Sequence, residues 1–95
     1  MAAEIVRFVS AYHKMPLSER GLPETKKQVE VIKKLIEENL PTALFFAVGY
    51  AITLGEACDD TAWIQSLVQK ASAIAANFDR EDQEDLQPIF QKYLG

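Results

Sequence analysis

The sequence holds one cysteine, one histidine and one tryptophan among 95 residues, with four glycines and four prolines. A single cysteine excludes an internal disulfide, and with it the disulfide-stapled scaffold of small secreted domains. Cys58 and His13, one of each and far apart in the chain, cannot supply the four ligands of a structural zinc site. There is no glycine-rich phosphate loop, no GxSxG-type elbow and no HExxH pattern, so the usual sequence signatures of phosphate binding, acyl transfer and zinc hydrolysis are missing. Neither a metal nor a cofactor is expected. Long apolar runs are also lacking. The longest uncharged stretch, residues 39–55, contains Pro41, Thr42, Gly49, Tyr50 and Thr53 and falls short of the roughly 20 apolar residues that span a bilayer. Its flanks carry Glu37, Glu38, Glu56, Asp59 and Asp60 rather than clustered Lys or Arg, so it predicts a buried core helix and no membrane association. The first fifteen residues mix Glu4, Arg7 and His13 into the apolar positions. That is not the basic-then-apolar order of a secretory signal, and a cytoplasmic location is expected.

What is present is a hydrophobic fraction of 48% with 25% charged residues. That is enough apolar material to exclude disorder and to build one domain, 1–95. Helical periodicity runs through most of it. Ile5, Phe8, Val9 and Tyr12 predict a helix over 3–14. Residues 15–23, with Pro16, Ser18, Gly21 and Pro23, predict a loop. The next helix starts near Thr25, whose spacing to Gln28 resembles a capping box, or at Pro23 as first helical residue. Val29, Ile32, Leu35 and Ile36 form its apolar face, Glu30 and Lys34 pair four apart on the other, and Pro41 ends it. A later helix, 60–77, is capped by Asp59 or Asp60 and turns Trp63, Ile64, Leu67, Val68, Ala71, Ile74 and Ala75 inward. The last begins after Asp79 as cap, carries Leu86, Ile89, Phe90, Tyr93 and Leu94 as its apolar stripe, and should kink or restart near Pro88.

The segment of about 42–57 differs in kind. Leu44, Phe45, Phe46, Val48, Tyr50, Ile52 and Leu54 point all round a helix, and such a helix must be covered all round. It is therefore expected at the centre of an all-α, single-domain bundle of four to five helices, or with its burial completed in a dimer. Ala47, Ala51 and Gly55 offer close-approach faces, and Gly49, a glycine inside a helix, predicts a neighbouring backbone at that point.

Few residues promise chemistry. His13, beside Lys14 at a helix end, suits the helix dipole and has no nucleophile near it in sequence. Cys58 stands next to Asp59 and Asp60, and carboxylates oppose the thiolate that a nucleophile needs. The run from Asp79 to Asp85 holds five acids in seven residues. It lacks the glycine of a calcium-binding EF-hand loop, and the twelfth place is Phe90. No enzyme is expected.

The most informative feature is the placement of charge. Residues 1–34 hold seven Lys/Arg and four acids, a net of +3. Residues 35–95 hold three and ten, a net of −7, which together give the chain's −4. Arg7, Lys14, Arg20, Lys26, Lys27, Lys33 and Lys34 are expected on a basic face. Glu56, Asp59, Asp60 and the 79–85 run are expected on an acidic one. No nucleic-acid-reading motif accompanies the basic residues, so nucleic acid is not the expected partner. The favoured expectation is a non-catalytic helical module that binds another protein, one with a basic surface, or associates with its own copies as a homodimer or homo-oligomer. Phe45, Phe46 and Tyr50 are its apolar contacts; Asp79, Glu81, Asp82, Glu84 and Asp85 are its electrostatic ones. Two alternatives stand beside it. One is an acidic inhibitor or immunity-type protein that covers a basic surface of its target. The other is a carrier of a small apolar ligand walled by Phe45, Phe46, Trp63 and Phe90.

Overall fold

The computed structural model describes residues 2–95 and is all-α. Six helices follow in order: α1 Ala2–Lys14, α2 Leu17–Arg20, α3 Pro23–Asn39, α4 Leu44–Ala57, α5 Thr61–Ala75 and α6 Arg80–Leu94. The expected five are present. The sixth, α2, is a single turn inside the stretch 15–23 read as loop, and it buries none of its residues. Its Leu17 is 81% exposed. Pro16 lies just before it in extended backbone, and a proline-led turn needs no apolar periodicity to form.

Pro23 is the first residue of α3 with Leu22 as its cap, so the Thr25 capping box does not form. On α3, Glu30 pairs with Lys33 at 3.7 Å in place of the expected partner Lys34. Asp60 caps α5, its Oδ1 accepting the Trp63 N–H at 3.1 Å. Asp79 holds the corresponding position before α6 but makes no side-chain cap bond. That helix runs on through Pro88 without restarting. Pro88 and Glu84 both lie on the exposed side, where water can serve the carbonyl that proline leaves without a donor. Leu94, expected in the apolar stripe, is exposed at the end of the helix.

The core joins Ile5, Val9 and Tyr12 of α1, Val29, Ile32 and Ile36 of α3, Leu67, Ala71 and Ala75 of α5, and Leu86 of α6 around α4. From α4 itself come Leu44, Ala47, Val48, Ala51 and Leu54, all buried. The helix packs against α1, α3 and α5, while α6 packs mainly along α5. The molecule measures 42 × 28 × 17 Å. Seventeen ångströms leaves room for two layers of helices about 8–10 Å apart and no third, so one side of α4 stays without a covering layer. Its complete coverage, expected from the all-round apolar pattern, does not occur. Phe45 is 52% exposed, and Phe46, Tyr50 and Ile52 are half-buried.

Both glycines of α4 were expected at close approaches, and only Gly55 stands at one. A methyl on Gly49 would meet nothing within 4 Å, whereas one on Gly55 would overlap Cγ1 and Cδ1 of Ile64. Gly55 is therefore where α5 approaches the backbone of α4.

Candidate functional site

The open side of α4 is built by simple helix arithmetic. Phe45, Gly49 and Thr53 follow at spacings of four and share one stripe, with Phe46 and Tyr50 on its flank. The rings of Phe46 and Tyr50 meet at 4.7 Å between centroids, tilted by 45°. Thr53 Oγ1 donates to the Gly49 carbonyl at 3.1 Å, which turns its hydroxyl back into the helix. Together these five residues line an open, mostly apolar cleft of about 590 Å³. Gly49 is its floor and the aromatic rings are its walls. Phe45, Phe46 and Tyr50, singled out from the sequence, are thus brought together. Gly49 and Thr53 were not singled out as surface, because only the packing reveals which side of α4 stays uncovered.

The acidic residues form a separate surface. Asp79, Glu81, Glu84 and Asp85 are exposed and Asp82 is half-buried, on the linker and first turns of α6. Arg80 Nε pairs with Glu84 at 3.4 Å in full solvent, where such a pair is worth about 0.3–0.5 kcal/mol. The acids in the first turn, Glu81 and Asp82, complement the positive end of the helix.

Two residues of the expected basic face, Arg20 and Lys33, work inside the fold. Arg20 reaches carbonyls at the ends of two helices: Nε donates to Tyr12 at 3.2 Å, Nη2 to His13 at 3.1 Å and Nη1 to Ala57 at 3.3 Å. Its guanidinium also lies 4.9 Å from the Tyr12 ring centroid. A cation at two helix C-termini opposes two negative dipole ends at once. Lys33, 8% exposed, donates to Asp60 Oδ2 and lies 5.1 Å from the Trp63 ring. Burial alone would lower the Lys33 pKa, but the Asp60 hydrogen bond and the charges of Cys58, Asp60 and Glu30 outweigh it and leave it raised. The Lys33 hydrogen bond in turn holds the Asp60 carboxyl below its ordinary value, with burial opposing and the Trp63 N–H assisting.

A polar cleft of about 370 Å³ lies over this region, lined by Tyr12, Arg20, Lys26, Lys33 and Cys58 among others. It lacks an activated nucleophile. Burial pushes the Cys58 thiol up and Lys33 only partly opposes this, so Cys58 stays protonated at neutral pH and its Sγ–H contacts the Gly55 carbonyl at 3.7 Å. His13, exposed, enters only through its backbone carbonyl. Among the described residues no group of three His, Cys, Asp or Glu is placed to hold a metal ion, and no helix is long and apolar enough to cross a membrane.

The four aromatics expected to wall a carrier pocket do not share one. Phe45 and Phe46 line the α4 cleft. Trp63 lines a polar groove with Lys33, Lys34 and Glu37, its Nε1 donating to Glu37 Oε1 at 3.1 Å. Phe90 packs half-buried against the core. Two surfaces therefore remain as candidates, the aromatic cleft of α4 and the acidic start of α6. No family model matches the chain, and no curated protein or solved structure matches it either.

Proposed function

We propose that the protein is a non-catalytic helical interaction module whose binding surface is the open side of α4, and that this surface takes an apolar helix. The observation that carries the reading is the cleft around Gly49, with Phe45, Phe46 and Tyr50 beside a glycine whose added Cβ would meet nothing within 4 Å among the described residues. A helical glycine costs about 1 kcal/mol relative to alanine, and within this fold that cost has no return. Against a partner helix it allows close backbone approach, with the aromatic walls packing on either side. The stretch from residue 39 to 55 carries no charge, so desolvating it on binding strands no ion.

The acidic start of α6 supports a second reading, an inhibitor that docks on a basic target, because four of its five acids are exposed and Arg80 is tied to one of them. Capture from a lysate with two variants separates the two. Phe45→Ser/Tyr50→Ser alters the α4 cleft, and full neutralisation of Asp79, Glu81, Asp82, Glu84 and Asp85 alters α6. The α4 reading expects the bound protein to be lost in the first variant, kept in the second, and retained at high salt. Loss only in the second, with binding that weakens steeply as salt rises, overturns it in favour of acidic docking.

A further inference from the structure

We infer that the helix received by the α4 cleft is α4 of a second copy, crossing antiparallel at Gly49; this rests on the reading of α4 as the binding surface. The seam itself supports the inference. Phe45, Gly49, Ile52 and Glu56 recur at spacings of four, three and four, the alternation with which two helices mesh side by side. One stripe thus carries both an aromatic knob, Phe45, and the glycine hole, which is what a two-fold contact needs, since each copy must supply both halves.

Charge fixes the direction. In a parallel pair Glu56 would face Glu56 of the other copy. In an antiparallel pair centred on Gly49, residues equally far before and after it face each other. Phe45 then lies opposite Thr53, and Glu56 opposite Thr42, just ahead of the helix start at Leu44. That start has Ala43 as its cap, no side-chain cap bond and no acid in its first turn, so the helix itself supplies no acceptor for its positive end. The Glu56 carboxylate is the charge that complements it. Its side chain is more than half exposed, and its contacts with Tyr93 Oη at 3.1 Å and Lys92 at 4.0 Å both use Oε1. No other charge lies between residues 39 and 55 to repel its own copy.

The contact is small. From Phe45 to Glu56 the helix rises about 16 Å, and one helix face of that length buries well under the roughly 800 Å² per partner of a standard stable complex. The dimer is therefore weak and reversible, with an expected dissociation constant of about 0.1–1 mM.

Sedimentation equilibrium on the full chain from about 10 µM to about 2 mM brackets that affinity. The mean mass is expected to rise from the monomer's 10.7 kDa toward the dimer value. Gly49→Glu puts like charges at the crossing and should weaken association about tenfold or more, while its melting temperature does not fall, because a Cβ at this position meets nothing within 4 Å and glutamate is the better helix former. Glu56→Lys should also weaken association by placing a cation at the partner's positive helix end. A chain that stays monomeric throughout, or one whose association is unchanged by Gly49→Glu, overturns the inference. If the wild type is monomeric but the Phe45→Ser/Tyr50→Ser variant still loses a captured protein, only the second-copy inference falls. If neither effect is seen, the reading of α4 as a binding surface falls as well.

Discussion

Gly49 and Gly55 lie six residues apart on one helix, and the same substitution should act on them with opposite sign. Gly49→Ala adds a methyl in open space and restores helix propensity, so it is expected to stabilise the monomer by about 0.5–1 kcal/mol. Gly55→Ala drives a methyl into Ile64, itself 1% exposed and unable to move aside, and should cost about 1–3 kcal/mol. Urea titration of both variants measures the pair. The half-buried Lys33–Asp60 ion pair makes a second contrast. Asp60→Ala removes the α5 cap and leaves Lys33 without its closest partner, an expected loss of about 2–3 kcal/mol. Lys33→Met should stay within about 1 kcal/mol, because the apolar stem is kept and Asp60 can still turn to water. The pH dependence has two limbs. Asp60 titrates below its ordinary 3.8, so its contribution is present above about pH 4 and is lost as pH falls through the folded value. Lys33 titrates above 10.5, so its contribution is present below that pH and is lost as pH rises through the folded value. Asp60→Asn keeps a capping side chain and should flatten the acid limb, measured as unfolding free energy between about pH 2 and 5. At this scale the sequence was partly legible. It placed Asp60 at a helix start, yet it could not say that Lys33 rather than Lys34 faces a carboxylate, because that depends on which side of α3 meets α5.

At the scale of elements, the joints carry more information than the helices. The turn from α4 to α5 takes three residues. The Asp60 N–H donates to the Gly55 carbonyl at 2.8 Å and the Asp59 N–H to Glu56 at 3.3 Å, with Asp59 at φ 56°. This is the Schellman closure, in which the left-handed residue is usually glycine. Asp59→Gly should therefore stabilise the protein by about 0.5–1 kcal/mol, read from the shift in thermal midpoint. Arg20 ties the ends of α1 and α4 to α2 through three carbonyls. Its replacement by Lys loses the planar fork that reaches all three and should cost about 1–2 kcal/mol in the same measurement. Helix positions, a cap at Asp59 or Asp60 and the end of α3 before Pro41 all followed from periodicity and punctuation, and the fold uses Asp60 as that cap. The one-turn α2 and the role of Arg20 did not. A four-residue helix has no period to detect, and a cation that serves distant carbonyls looks in sequence like any other surface charge.

For the whole molecule, the decisive quantity is coverage. Three neighbours and a thickness of 17 Å leave α4 with one side uncovered, although its composition would suit burial on every side. The sequence therefore marked the over-apolar helix and its aromatics, Phe45, Phe46 and Tyr50, but not which side of that helix the fold would leave open. The charge division of +3 and −7 is softened in the fold, since Lys33 meets Asp60 and Arg20 is spent on backbone. The acidic start of α6 stays outward, and of the seven basic residues Arg7, Lys14, Lys26, Lys27 and Lys34 remain exposed. The uncharged cleft of α4 is then the surface whose chemistry is least explained by the monomer. An NMR dilution series tests its role most directly, following the Gly49 amide and the rings of Phe45, Phe46 and Tyr50 from about 20 µM to about 2 mM. Those signals should move together with concentration while the amides of Asp79 to Asp85 stay still. Movement of the 79–85 amides with the α4 signals unchanged, or no movement anywhere, would contradict the assignment of α4 as the face through which the protein associates.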